Sequence, residues 1–109
     1  MKVIIYAGGE YVTGDEIALA LMYYSRGLAD EGAAETVEIP ILSQDGSPVM
    51  ATFLVGPSSQ IVAKDVDSEY DELVDSETVA RLQRLTDALR LTARPGATPE
   101  QSDWAEPEV

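Results

Sequence analysis

The first apolar cluster of the chain, Val3-Ile4-Ile5, stops at Gly8-Gly9 and predicts a short buried strand over Lys2–Tyr6. Thr13-Gly14-Asp15-Glu16 then carries the spacing of a capping box, a threonine hydroxyl followed three residues later by a glutamate. Downstream of it Ile17, Leu21, Tyr24 and Leu28 recur at helical spacing, with Ala18, Met22 and Ala29 widening the same face. Gly32 is the natural stop. The pattern then changes period. Val37, Ile39 and Ile41 alternate with Glu38 and Pro40, and Ala51, Phe53 and Val55 alternate with Thr52 and Leu54, on either side of a turn at Asp45-Gly46. This is a hairpin with a longer loop than the tightest kind. Pro40 has no N–H to give a ladder, so its strand belongs at an edge or bulges there. Gly56-Pro57-Ser58-Ser59 marks another turn, followed by a strand over Gln60–Val66. An acidic connection leads to a second helix from Asp75 or Ser76, with Val79, Leu82, Leu85 and Leu89 on one face.

These elements predict an α+β domain at residues 1–91: a four-stranded, mostly antiparallel sheet in the order β-α-β-β-β-α, with both helices packed on one face. Residues 92–109 hold three prolines and four acids without periodicity, and read as a flexible acidic tail. Trp104 in that tail is its only large apolar anchor.

Composition narrows the chemistry. The chain has 109 residues, no cysteine and no histidine. That removes thiol nucleophiles, thiolate metal sites and any Ser-His-Asp relay. Twenty acidic against seven basic residues give a formal charge of −13. Such a surface repels phosphate backbones and anionic lipids, so neither nucleic acid nor membrane is expected as a partner. The apolar run after Lys2 is too short for a signal-peptide core, and the expected compartment is the cytoplasm.

Four constellations invite a chemical reading. Gly8-Gly9 followed by a helix start at Thr13-Gly14 outlines a phosphate cradle, but Asp15 stands where the phosphate-binding lysine belongs. Asp65, Asp67, Glu69 and Asp71, with Glu72 beyond them, form an acidic surface whose alternation begins like a calcium loop. The loop then has Tyr70 for its required glycine and Ser76 for its closing acid. Ser58-Ser59 offers a hydroxyl in a turn, with only Lys64 nearby in sequence as a base. Lastly, Leu19 and Tyr23 are four apart and form a second apolar ridge on the flank of the first helix, with Tyr11 just before that helix.

No catalytic motif and no cofactor fingerprint survives this reading. The expectation is a small acidic interaction or regulatory domain, not an enzyme. It would meet a protein partner, or its own copy, through Tyr11, Leu19 and Tyr23 or through a sheet edge. The alternatives are a small-molecule binder using the Gly8–Gly14 loop and an acidic mimic of nucleic acid.

Overall fold

A computed structural model describes residues 1–93 of the chain; the tail expected at 92–109, with Trp104, falls outside them apart from its first two residues. The elements are β1 (Lys2–Tyr6), β2 (Gly9–Thr13), α1 (Asp15–Glu31), β3 (Glu35–Leu42), β4 (Pro48–Val55), β5 (Ile61–Asp65) and α2 (Ser76–Ala93). The class is α+β with two helices and antiparallel pairing throughout, as the periodicities predict. The single four-stranded sheet is not formed. One sheet has three strands in the order β2-β1-β5, and β3 with β4 makes a second of two.

The difference begins at the glycines. Ala7 and Gly8 both take positive φ, 52° and 82°, the pair of angles that a two-residue type I′ hairpin turn requires. Tyr6 therefore faces Gly9 across the turn, and the chain returns as β2 with Val3 opposite Val12 and Ile4 opposite Tyr11. The expected break is a reversal. β5 adds to the other side of β1, with Ile4 opposite Ala63. Between β4 and β5, the Gly56–Ser59 turn closes through Ser59 N–H donating to the Gly56 carbonyl at 3.1 Å, and the chain passes from one sheet to the other.

The second hairpin matches its sequence pattern: Val37 faces Phe53 and Ile39 faces Ala51. Its loop is locked by Asp45, whose Oδ1 lies 2.5 Å from Ser43 Oγ and 2.6 Å from Ser47 Oγ. Pro40 sits opposite Met50 with no bulge, so a proline tolerates this place only because the pair does not exchange backbone hydrogen bonds.

One apolar cluster joins both sheets and both helices. Ile4, Ile17, Leu21, Leu28, Ile39, Val55 and Leu82 are all essentially inaccessible. Tyr6 and Tyr11 meet Phe53 edge-on, at ring-centroid distances of 5.5 and 5.3 Å, the offset that aromatic quadrupoles favour. The α1 stripe is buried as its spacing predicts, except that Met22 is half-buried and Ala29 is exposed. Gly32, at φ 67°, ends the helix and donates to the Ala29 carbonyl. Of the apolar stripe of α2, Leu82 is wholly inside; Val79 and Leu89 are half-buried, and Leu85 lies at the margin, exposed. α2 lies chiefly along α1, not flat on a sheet. Gly27 lets it approach, since a Cβ there would come within 3.1 Å of Leu89 Cδ1.

Candidate functional site

The start of α1 is the place where the sequence suggests an anion cradle, and it is already filled. The N-cap is Gly14, with no side-chain cap from its own segment. The expected capping box of Thr13 and Glu16 is therefore not made. Thr13 is fully buried, and its hydroxyl donates instead to the Pro40 carbonyl at 2.7 Å, tying β2 to β3. The free amide of Asp15 is taken by Glu72 Oε2 at 2.5 Å, from a segment 57 residues away. The Met1 amine lies 3.0 Å from both Glu72 Oε1 and Asp15 Oδ1. A Cβ on Gly14 would run into the Leu73 carbonyl, so the loop after β5 packs directly on the helix start. The Gly8–Gly14 segment is a turn and a strand, not a loop around a ligand.

The acid run has a different organisation from a calcium loop. Asp65 pairs with Lys2 at 2.5 Å. Glu72 caps α1, and Asp75 caps α2 by accepting from the Thr78 N–H at 3.1 Å. Carboxylates at helix starts are favoured by both the free amides and the helix dipole. Asp67, Glu69 and Asp71 remain exposed on the surface. Among the described residues, no three acidic side chains converge into a cluster that would hold a metal ion. Tyr70 lies against Gly46 of the β3–β4 loop, where a Cβ would strike its ring.

Two of the surface grooves bear on the candidate residues. One, of about 660 Å³, separates the β1–β2 turn from the Gly56–Gln60 segment and has Ile5, Leu54 and Val62 among its walls. Two of its polar groups serve the fold: Tyr6 donates its hydroxyl to the Leu54 carbonyl, and Ser59 Oγ accepts from the Gly56 N–H at 3.0 Å. Ser59 is thus a turn residue, while Lys64 lies exposed on β5.

The second groove, of about 520 Å³, runs between α1 and α2. Leu19, Ala20, Tyr23 and Val79 give it an apolar floor, and Glu16, Asp87 and Arg90 stand at its sides, with Arg90 Nη1 3.9 Å from Asp87 Oδ1. The two helices run in the same direction, with Glu16 near Val79 and Gly27 near Leu89. α2 therefore borders the Leu19/Tyr23 ridge without covering it: Leu19 is 45% and Tyr23 61% exposed. Tyr11 does not join them. It is half-buried on β2, against Phe53, and its ring lies over Gly9. The signal that separates it from Tyr23 is the hairpin, which places Tyr11 on the inward face of a strand.

The chain matches no known family model, no curated protein and no solved structure. Among the described residues, no helix is long and apolar enough to cross a membrane.

Proposed function

We propose that this is a small interaction domain whose docking surface is the groove between α1 and α2. The observation that supports it is the exposed Leu19/Tyr23 ridge, which sits beside a second helix and yet stays open. A tyrosine beside an aliphatic residue supplies a large, rigid contact area at low conformational cost, the make-up of an interface centre. The occupant we assign is a basic amphipathic segment of another protein. Its apolar face would cover Leu19, Ala20 and Tyr23, and its cations would meet Glu16 and the wider field of a chain with formal charge −13, Asp87 being already paired with Arg90. An attraction of this kind weakens with salt.

A defined probe tests the reading. A Leu/Lys amphipathic peptide and its Leu/Glu counterpart are titrated into isotopically labelled protein, and amide shifts are followed. The reading expects shifts at Leu19, Ala20, Tyr23 and Gln83 with the basic peptide only, diminishing between low and high salt. Tyr23→Glu should abolish them while circular dichroism stays unchanged, because that side chain is mostly in solvent. Shifts elsewhere on the molecule, or none, would refute it.

A further inference from the structure

The backbone of β4 presents a second surface, independent of the groove. Pro40 has no N–H, so the Pro40/Met50 pair must be one that exchanges no hydrogen bonds. Pairing alternates along an antiparallel ladder, so Glu38/Thr52 and Thr36/Leu54 are of the same kind. The amides and carbonyls of Met50, Thr52 and Leu54 consequently point away from β3. The opposite edge agrees with this parity, for two outward carbonyls of β3 have partners on that side: Pro40 accepts from Thr13 Oγ1 at 2.7 Å and Glu38 from Arg81 Nη2 at 2.6 Å. On the β4 edge only the Leu54 carbonyl has a strong partner, the Tyr6 hydroxyl. Among the described residues, nothing pairs with the backbone groups of Met50 and Thr52.

Exposed edges are normally protected by charge. β5 carries Lys64 and Asp65, and β2 carries Glu10. β4, Pro48–Val55, has no charged residue at all in a chain that is 25% charged. Two of its outward side chains are large and apolar, Met50 57% and Leu54 58% exposed, on either side of the uncharged Thr52.

We infer that β4 is a self-pairing edge, which joins two copies of the chain by antiparallel β4–β4 pairing about Ala51 into a continuous sheet β3-β4-β4-β3. The donors and acceptors select this partner and this register. With the two-fold axis at Ala51, Met50 faces the other copy's Thr52, and Leu54 faces the other copy's Pro48. Met50 and Thr52 then exchange both bonds, and the Leu54 N–H donates to the Pro48 carbonyl. The one missing donor, the Pro48 nitrogen, falls opposite the one occupied acceptor, the Leu54 carbonyl. An uncharged strand is also where two copies of a strongly negative chain can approach with least repulsion.

The test is the solution mass of the full chain by analytical ultracentrifugation, across micromolar to near-millimolar concentration at low and high salt. The expected mass rises from the 11.7 kDa of one chain towards twice that value with concentration, and rises further with salt as repulsion is screened. Thr52→Pro removes a central donor without touching the β3 ladder, and should weaken association by roughly a hundredfold. Met50→Lys leaves the backbone intact and places a charge on the exposed edge; it should weaken association too, with an unchanged circular dichroism spectrum. A chain that stays monomeric at every concentration and salt overturns the inference. So does a dimer that survives Met50→Lys, or one that is lost with Tyr23→Glu and kept with Met50→Lys.

Discussion

Replacing Thr13 by valine removes one hydroxyl and keeps the shape. In the structure that hydroxyl has a single partner, the Pro40 carbonyl at 2.7 Å, and the threonine is wholly inaccessible. After the change the carbonyl loses its donor in a place water does not reach. The cost of leaving such a group unsatisfied is about 1–3 kcal/mol. The valine methyl returns a little apolar contact, which leaves the middle of that range, about 2 kcal/mol, as the expected loss. For a domain of this size that lowers the melting midpoint by roughly 8–16 °C. Urea unfolding followed by circular dichroism should give the same difference with an unchanged slope, because the exposed area on unfolding stays the same. A companion variant separates the two roles open to Thr13. If Thr13 and Glu16 formed a capping box, Glu16→Ala would also destabilise α1 by about 1 kcal/mol. Here Glu16 is exposed at the side of the groove, so Glu16→Ala should fall within about 0.5 kcal/mol of the parent. A Thr13→Val protein as stable as the parent would refute the strut, whereas equal losses in the two variants would restore the cap.

Two further outcomes follow from the same geometry. Glu72→Ala should cost about 1 kcal/mol, since it strips the carboxylate that caps the Asp15 amide of α1; faster exchange of the Asp15 and Glu16 amides would locate the loss, and an unaltered first turn would refute it. The hydroxyls of Ser43 and Ser47, with the Ser47 N–H, pull Asp45 from its ordinary 3.8 down to about 2. A depressed carboxyl stabilises the fold fully above its unfolded value and loses that contribution as pH falls through its folded one. The stability gap between the parent and Asp45→Asn should therefore be constant above pH 4 and close between 3.8 and about 2; a gap independent of acid would show that the serines do not hold Asp45 ionised.

The helices, four of the five strands and the hairpin at Asp45-Gly46 are legible in the amino-acid order, because each is written in a local period and a local turn. The α1 stripe of Ile17, Leu21, Tyr24 and Leu28 needs no partner to be recognised: a face that is apolar every three or four residues must be buried by something. The same logic made Leu19 and Tyr23 legible as a flank, but that the second helix leaves them exposed was decided by the packing. The lack of charge on β4 was equally legible, although its meaning depends on which backbone groups face outward, and Pro40 on the neighbouring strand sets that.

What each local signal is for depends on long-range packing. Gly8-Gly9 announces a departure from a strand, yet whether the chain leaves or doubles back rests on Ala7 accepting a positive φ, which the pairing of Val3 with Val12 stabilises. Thr13 offers a hydroxyl that can cap a helix or reach another strand, and the proximity of Pro40, 27 residues on, settles the choice. Glu72 carries no sign in its own segment that it will cap α1, and Tyr11 none that it will lie on Phe53 and not beside Tyr23. Periodicity records how a residue relates to its neighbours within one element. A hydrogen bond between distant segments exists only after the apolar faces have brought those segments together, and it is that packing, not the local pattern, which chooses the partner.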